Sequence, residues 1–348
     1  MRICRDELGD LRHLATRNQD ARRRYADDED LVIIDSNPYR QDADIKIAVS
    51  KAFRQLMFKT QVVSSPTNIL IRNRASHTLE VSGLATLIAD ILRLNVDLAR
   101  AIAMGHDIGH VPFGHAGEAF LSDILGKTFR HEIFGVVRAQ KIERSGIGTN
   151  LTHQSLSGML YHSRGSGKMT ITSQMSAEAT TVMLSDKISF ILSDYNDLVK
   201  RNLLPEDETK KVTELINLLG SSQRERMTRI VTALCHESVS AGKICFENSL
   251  EAELFGLVKD QMYTLYERVN SQGVPEVLFR VYDFVSKKIV GVNPALVIAL
   301  MNDQDVLFLS RKTIFDRSDF NQVSVAEQLK YIRALDPNLS LTDPDLGW

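Results

Sequence analysis

The sequence predicts an all-α protein. Apolar residues recur at helical intervals through most of the chain, whereas the alternating pattern of a half-buried strand is sparse. No internal repeat and no low-complexity tract interrupts this pattern. The chain has 348 residues, of which 43% are hydrophobic and 25% are charged. This is the composition of a globular protein long enough to bury a substantial core, as one large or two ordinary domains.

Charge and cysteine content exclude several classes of function. The formal net charge of -2 gives no overall attraction to nucleic acid or to an anionic membrane. The three cysteines, Cys4, Cys235 and Cys245, form neither a CxxC pair nor a secreted disulfide pattern. The amino-terminal residues lack the apolar stretch of a signal peptide, and no apolar run is long enough to cross a bilayer. We therefore expect a cytoplasmic protein that does not associate with membranes.

The first 40 residues are polar and charge-mixed, which is typical of an arm rather than a core element. Their basic run "ARRR", at 21–24, is expected to be solvated, and a phosphate or subunit contact is the alternative. An Asn-Pro turn signal follows at 37–38. From residue 42 the pattern becomes helical, and one helix is predicted over 42–61. Its proposed apolar side consists of Ile45, Ile47, Val49, Phe53, Leu56 and Met57.

The central part of the chain predicts four helices. The first covers 76–94, with Ser76 as a possible N-cap, and the second covers 96–110 and stops before Pro112. A third is predicted at 116–125. Residues 141–175 are rich in Gly, Ser and Thr, which indicates short helices joined by a mobile loop at 163–173. The longest helix is predicted at 176–204, and further helices are predicted near 206–219, 222–241, 248–271, 274–290, 292–304 and 323–334.

The stretch "GHDIGHVPFGHAGE", at 105–118, is the most unusual part of the sequence. It holds three of the nine histidines, and His106 and Asp107 could supply one imidazole and one carboxylate ligand to a divalent metal. Further ligands must come from elsewhere, and His77 and Asp186 are the candidates. Asp186 lies in an otherwise apolar helical segment, where a carboxylate is costly to bury unless it is paired or metal-bound. Alternatively, Asp186 faces solvent beside Lys187 and His77 is an ordinary helix residue.

The same stretch contains a candidate proton-transfer pair. His115 and Glu118 are three residues apart on the next helix, so their side chains can touch. A carboxylate beside an imidazole raises the pKa of the imidazole and fixes its orientation, which prepares the ring to hold a proton near neutral pH. The glycines at 105, 109, 114 and 117 would let the backbone approach a ligand closely. The alternative is a surface turn with scattered histidines.

These residues and the segments around them resemble a known family. The order His77, His106-Asp107, Asp186 is similar to the ligand pattern of the HD-domain metal-dependent phosphohydrolases. The segments "SKAFRQLMFKTQV", "RNRASHTLEV", "AIAMGHDIGHVPFGHAGE" and "FRHEIFGVVRAQ" resemble the dGTPase-like deoxynucleoside triphosphate triphosphohydrolases, over about residues 14–200. The resemblance implies an arm at 1–40, an HD core at 41–205, and a helical region at 206–348 packed on that core.

The resemblance also implies a reaction and a set of roles. Water would attack the α-phosphorus of a dNTP and give a deoxynucleoside and inorganic triphosphate. Mn²⁺ or Mg²⁺ would be the cofactor, with Fe²⁺, Co²⁺, Ni²⁺ and Zn²⁺ as other ions that such ligands accept. His115, held by Glu118, would be the catalytic histidine. The metal ligands would be His77, His106, Asp107 and Asp186, and the phosphate-contacting residues would be Arg74, His110, His131 and Lys187.

One departure from the family pattern affects the sugar site. The family usually has Tyr four residues after the metal Asp, and here the residue is Phe190. Phe190 can still pack on a deoxyribose, but it lacks the hydroxyl that hydrogen-bonds sugar or phosphate. Asp194 would lie one helical turn further on, facing the sugar 3′-hydroxyl, and the alternative is a solvated helix residue. The milder change is "RASH", where the family usually has Leu-Thr before the first histidine.

Two other functions remain open from the sequence. An HD phosphohydrolase could act on another nucleotide, such as a nucleoside monophosphate or a signalling nucleotide, because the metal ligands are shared. The chain could also be a sensor that binds nucleotides or single-stranded DNA with weak catalysis. Relatives are commonly tetramers or hexamers, so a homo-oligomer is expected, and the resemblance also implies a nucleotide or single-stranded DNA effector. The pattern does not name the preferred base.

Overall fold

A computed structural model describes residues 8–26, 37–63, 68–163, 171–199, 203–269 and 274–348. The prediction of an all-α fold is confirmed, since the described residues contain no β-strand and a single bridge pairs Thr60 with Asn73. In the amino-terminal half the α-helices are α1 (Pro38–Gln41), α2 (Lys51–Gln55), α3 (Arg74–Ile91), α4 (Val96–Gly105), α5 (His115–Leu125), α6 (His131–Lys141), α7 (His153–Tyr161) and α8 (Ala177–Leu198). In the carboxyl-terminal half they are α9 (Glu206–Leu219), α10 (Gln223–Ala241), α11 (Leu250–Val269), α12 (Val274–Lys288), α13 (Pro294–Leu300), α14 (Asp303–Ser310), α15 (Arg317–Phe320) and α16 (Leu329–Ile332).

Helices α3, α4 and α8 pack against one another and form the centre of the fold. Their facing sides carry aliphatic residues, such as Ile88, Ile102 and Val182, which are fully buried. Burying such side chains stabilises the fold by about 1.5–3 kcal/mol each. His77 lies in the first turns of α3, His106 directly follows α4, and Asp186 lies within α8. The packing of the three helices therefore determines the geometry of the site.

Side-chain caps decide where these helices begin. Helix α3 starts at Arg74 because the Asn73 side chain accepts a hydrogen bond from the Ser76 amide. The prediction of Ser76 as the N-cap is therefore wrong, and its hydroxyl serves as the returning half of the capping box. Asn95 caps α4 and Ser176 caps α8 in the same manner.

The predicted single helix over 42–61 is also wrong. A π-helix at Asp42–Ile47 is followed by α2 and a 3-10 turn at Leu56–Phe58. Ser50 starts α2 by accepting from the Phe53 amide, which breaks the helical run. Three of the six residues of the proposed apolar side, Ile45, Val49 and Met57, are exposed.

The arginine run of the amino-terminal arm is not simply solvated. Arg23 forms an ion pair with the fully buried Asp42 at 2.7 Å and donates to the Asn150 carbonyl at 2.6 Å. Asp42 also accepts from the hydroxyls of Thr152 and Ser155, both at 2.7 Å. A buried carboxylate needs such partners, so Arg23 ties the arm to α7.

The carboxyl-terminal helices pack on the region around the histidine-rich stretch. Helices α12 and α13 contact α5, and their apolar residues share one cluster with Phe120 and Phe134. The buried Asp303 accepts from the amides of Thr60 and Phe113 at 2.8 and 2.9 Å. The predicted helix at 292–304 is divided into α13 and α14, because Asn302 and Asp305 form a capping box that starts a new helix.

Several expectations lie partly outside the described residues. The predicted mobile loop at 163–173 falls mostly on 164–170, and the end of the predicted longest helix falls on 200–202. Within the described ranges, no helix combines the length and the apolar character needed to cross a membrane.

Candidate active site

A cavity of about 680 Å³ opens where α3, α4, α5, α6, α8 and α11 meet. It collects residues that are far apart in the sequence. The predicted site residues among its lining are Arg74, His77, Asp107, His110, His115, Glu118, His131, Asp186, Lys187 and Phe190. His106 is buried beside it. The remaining predicted residue, Asp194, lies behind the wall.

Three of the four predicted metal ligands form one compact group beside this cavity, and Asp186 adjoins its two imidazoles. Nitrogen and oxygen atoms of His77, His106 and Asp107 lie within 4.8 Å of one another. The Asp186 Oδ1 atom is 3.0 Å from His77 Nε2 and 3.8 Å from His106 Nε2. Ligand atoms at these separations can surround one cation at about 2.0–2.2 Å from each. The solvent-facing alternative for Asp186 is wrong, since its side chain is 16% exposed and faces the two imidazoles.

The end of α4 explains how His106 is oriented. His106 is the C-cap of that helix, and its Nδ1 donates to the Ala103 carbonyl at 2.6 Å. This bond leaves the lone pair on Nε2, which is buried and has no hydrogen-bond partner among the described residues. An unpartnered buried nitrogen is costly unless a ligand satisfies it, so a cation at this point fits the residues present.

The protonation states in this group also suit a cation. Burial lowers the pKa of His77 despite the neighbouring carboxylates, which keeps the ring neutral. Burial alone would raise the pKa of Asp186 and of Asp107. At Asp186, nearby histidines and Lys187 outweigh this effect. At Asp107, nearby histidines and Arg74 outweigh it. The pKa of each carboxyl is therefore held below its ordinary value. Neutral imidazoles and ionised carboxylates are the forms that bind metal.

Glu118 holds two histidines rather than the one that the sequence predicted. Its Oε2 is 3.0 Å from His115 Nδ1, and its Oε1 accepts from His131 Nδ1 at 2.6 Å. Burial alone would favour the neutral ring of His131, but Glu118, Glu132 and Asp107 raise its pKa to about 8. His131 is therefore a cation at neutral pH, whereas His115 is the exposed member of the group, with 75% of its side chain accessible.

His110 and His131 stack with their ring centroids 3.7 Å apart. Gly109 makes this possible, because a Cβ atom there would lie 2.0 Å from the His131 carbonyl oxygen and 2.3 Å from the Gly135 nitrogen. The glycine prediction therefore needs correction. Gly105, Gly109 and Gly117 admit the protein's own atoms rather than a ligand, and Gly114, with φ of +56°, faces the Arg74 guanidinium.

The two predicted phosphate-binding cations both line the cavity. Arg74 is in the first turn of α3, and its Nη1 donates to Asp107 Oδ2 at 2.9 Å. Lys187 follows Asp186 on α8, and its Nζ is 3.4 Å from the Tyr263 hydroxyl. Arg74 thus lies beside one predicted ligand, Asp107, and Lys187 is adjacent in sequence to another, Asp186.

Phe190 lies in the wall of the cavity, whereas Asp194 lies behind that wall. Phe190 lines the cavity, and its ring centroid is 6.3 Å from that of His77. Asp194 is fully buried, so the alternative of a solvated residue is wrong. Its oxygens bond the Arg72 guanidinium and the Tyr266 hydroxyl, which places Tyr266 between Asp194 and the cavity.

Sequence reasoning missed several residues of the site. The Gln61 side chain lines the cavity, and its Oε1 is buried without a partner among the described residues. Tyr263 and Tyr266 line the cavity from α11, a helix that carried no recognised motif. His162, buried, packs against the rings of His106 and His131 at 5.0 and 5.4 Å. Gln61 lies inside the segment "SKAFRQLMFKTQV", whose resemblance to the family could have indicated it. No motif in the sequence indicated Tyr263, Tyr266 or His162.

Comparison with known proteins agrees with this geometry. The family model described as "HD domain" matches residues 74–191, which span all four predicted metal ligands. The fold and the site thus define a hydrolase of the HD-domain class.

The similar proteins narrow this class. A protein of Caldanaerobacter subterraneus subsp. tengcongensis is 37% identical over 256 residues, which cover 73% of this chain and 71% of the relative. A protein of Clostridium tetani is 34% identical over 251 residues, or 70% and 71% of the two chains, and one of Clostridium perfringens (strain 13) is 40% identical over 186 residues, or 53% of each. All three are named deoxyguanosinetriphosphate triphosphohydrolase-like proteins. The chain belongs to this dGTPase-like family of HD-domain phosphohydrolases.

Proposed function

We propose that the protein hydrolyses deoxynucleoside triphosphates to deoxynucleosides and inorganic triphosphate. One observation carries the proposal. A single cavity combines a His/Asp cluster suited to a divalent cation with the three imidazoles of His110, His115 and His131. A triphosphate carries several negative charges, and its hydrolysis needs both a cation and positioned donors.

The cation would be held by His77, His106, Asp107 and Asp186. When bound, a divalent metal polarises a phosphoryl oxygen and lowers the pKa of water. We propose Mn²⁺ or Mg²⁺, because carboxylates supply half of the ligand set, while Fe²⁺, Co²⁺, Ni²⁺ and Zn²⁺ also accept imidazole and carboxylate ligands.

The imidazoles and cations around the cluster would bind the phosphate chain. His131 is positively charged at neutral pH, so its Nε2–H can donate a charge-assisted hydrogen bond to a phosphate oxygen. His110 stacks on His131 and is held in place by Asp107 at 3.1 Å. Arg74 and Lys187 would balance the remaining negative charge.

His115 is the group that we assign to proton transfer. The oxygen of water forms a bond to the α-phosphorus and the water loses one proton to solvent, while the bond from phosphorus to the 5′-oxygen breaks and the 5′-oxygen takes up one proton. His115 lies at the open side of the cavity and can deliver this proton, while Glu118 orients the ring through Nδ1. A positioned acid of this kind contributes roughly 10²–10⁴ in rate.

The test is incubation with each dNTP and with several divalent ions, followed by chromatography of the products. Inorganic triphosphate together with the deoxynucleoside would support the proposal. Release of inorganic phosphate from a monophosphate would instead identify an HD phosphohydrolase with another substrate. Nucleotide or single-stranded DNA binding without any product would identify a sensor.

The same preparation tests two further proposals. We propose a homo-oligomer, of four or six subunits, which light scattering would measure. Mixed dNTPs or single-stranded DNA added to each assay would reveal an effector as a rise in rate.

A further inference from the structure

The chain directly before His115 adopts a backbone conformation that most residues avoid. Phe113 has a φ of +61° and Gly114 a φ of +56°, and His115 is the first residue of α5. Glycine tolerates such a φ, but the Cβ atom of Phe113 is crowded by its own backbone, so this conformation persists only where neighbours hold it. Gly114 is the N-cap of α5 and provides no side-chain cap. The turn at 113–114 therefore determines where α5 begins and how His115 is presented.

The buried carboxylate of Asp303 holds this turn. Its Oδ1 accepts a hydrogen bond from the Phe113 amide at 2.9 Å. Its Oδ2 accepts from the Thr60 amide at 2.8 Å and also from the Thr60 hydroxyl. An ionised carboxylate only accepts, so this one side chain satisfies all three donors. Asp303 is 2% exposed and bonded through both oxygens, which restricts its carboxylate to one orientation.

The position of Asp303 is set by the carboxyl-terminal helices. Asp303 is the first residue of α14, whose start is fixed by the capping box of Asn302 and Asp305. Asp305 in turn accepts from the Ser324 amide at 2.8 Å. Asp303 lies outside residues 74–191, the region that matches the HD domain, and reaches that region at the Phe113 amide. The carboxyl-terminal helices are thus tied to the residue two positions before the predicted proton donor.

The ring of Phe113 is a second anchor of the same residue. It is buried in the apolar cluster that contains Phe120 and residues of α12 and α13. Apolar contacts are non-directional, whereas a hydrogen bond from the amide requires one orientation of the peptide group. The bond to Asp303 is therefore the contact that specifies the backbone of the turn.

We propose that Asp303 is a positioning residue for His115. By holding the Phe113 amide, Asp303 keeps the turn at 113–114 in its left-handed form and so presents the His115 imidazole to the cavity and to Glu118. Asp303 does not line the cavity, so it acts through the backbone. The proposal rests on the proposed function, which assigns proton delivery to His115.

Asp303→Asn is the first variant, because it replaces one acceptor by a donor at constant size. Thr60 presents two donors and Phe113 one, so the amide oxygen should face Thr60 and the NH₂ group should face the Phe113 amide. Two donors then oppose each other, and the turn should relax. We expect kcat for a dNTP to fall by about 10- to 100-fold, as for a displaced catalytic group, while KM and the metal content stay near the wild-type values.

A double-variant cycle separates the positioning of His115 from general damage. If Asp303 acts through His115, Asp303→Asn should have little further effect once residue 115 is alanine. The double variant should then match His115→Ala within about twofold, whereas independent effects would multiply. A double variant that is slower than His115→Ala by the full factor of Asp303→Asn would overturn the proposal.

Thr60→Val is the matched control. It removes a hydroxyl from the same carboxylate but keeps the Thr60 amide and the bond to the Phe113 amide. It should lower stability, as Asp303→Asn does, and leave kcat near the wild-type value. Wild-type kcat in Asp303→Asn would contradict the proposal, because packing of the Phe113 ring would then suffice to hold the turn.

Two further measurements keep the proposal testable. If Asp303→Asn does not fold, Asp303→Glu keeps the charge and shifts the carboxylate by one methylene; it should lower kcat in the same non-additive way, and a wild-type kcat would refute the proposal. If no dNTP is hydrolysed, the proposed function fails, and a crystal structure of Asp303→Asn decides the inference. A displaced His115 ring supports it, whereas an unchanged φ at Phe113 with His115 still 3.0 Å from Glu118 refutes it.

Discussion

Substituting Gly109 by Ala should disable the site without altering any polar group. The new Cβ would lie 2.0 Å from the His131 carbonyl oxygen, whereas ordinary contact begins at 3.4 Å. The stretch around residue 109 and helix α6 would therefore have to separate by about 1.4 Å. Both neighbours are backbone atoms, including Gly135, so no side chain can rotate to relieve the clash.

This separation would act directly on the stacked rings of His110 and His131, which are 3.7 Å apart. A displacement of about 1 Å in a catalytic group can reduce the rate by about 100-fold. Overpacking should also lower the free energy of unfolding by about 1–3 kcal/mol. We therefore expect a folded protein with weak activity.

The assay combines product release with urea unfolding, and Gly83→Ala is its control. Gly83 lies in the middle of α3, where an added Cβ meets no atom within 4 Å. Its replacement should raise stability by about 0.5–1 kcal/mol and leave the rate unchanged. Wild-type activity in Gly109→Ala would refute the argument that this close approach aligns the two histidines.

Three further results follow from the site and its surroundings. Asp107→Ala should abolish both metal retention, measured by elemental analysis, and hydrolysis; a fully active variant would contradict the metal assignment. His115→Ala should still bind metal and nucleotide in calorimetry while turnover falls by about 10²–10⁴, and rapid turnover would remove His115 from the mechanism. Burial lowers the pKa of Lys59 well below its ordinary value, so the unfolded chain binds more protons there than the folded one. Wild-type stability in urea should thus gain up to about 1.4 kcal/mol per pH unit between the folded-state pKa and the ordinary lysine value, and Lys59→Met should lack that gain.

The candidate metal group could be anticipated because half of it is local. His106 and Asp107 are adjacent, and the resemblance supplied His77 and Asp186 on neighbouring helices. The structure brings all four side chains together, although their role as ligands stays a prediction. Only one of the two partners of Glu118 could be predicted from the sequence. His115 lies three residues away, so its contact with Glu118 follows from the helical repeat. The bond of Glu118 to His131 crosses from α5 to the start of α6, and no local pattern encodes that turn.

The errors in the fold arise where side chains compete for the backbone. Periodicity over 42–61 suggested one helix, but it does not show that Ser50 caps a new one. Asn73 and Ser76 are both good caps, and hydropathy does not choose between them. Likewise, the sequence of the arginine run indicates solvated side chains, because it does not show that Arg23 lies beside the buried Asp42.

The region that matches the HD domain is chemically incomplete by itself. It holds the predicted cation ligands and His115, but Tyr263 and Tyr266 reach the cavity from α11. Asp303 of α14 accepts hydrogen bonds from the amides of Thr60 and Phe113. The backbone beside the histidines is therefore also held by a residue outside the region that matches the HD domain. The predicted metal ligands and the predicted proton donor therefore lie in one segment, whereas the aromatic wall of the cavity lies in another. Because the two parts meet only in the tertiary fold, substitutions on α11 should change nucleotide selectivity while the hydrolytic groups stay in place.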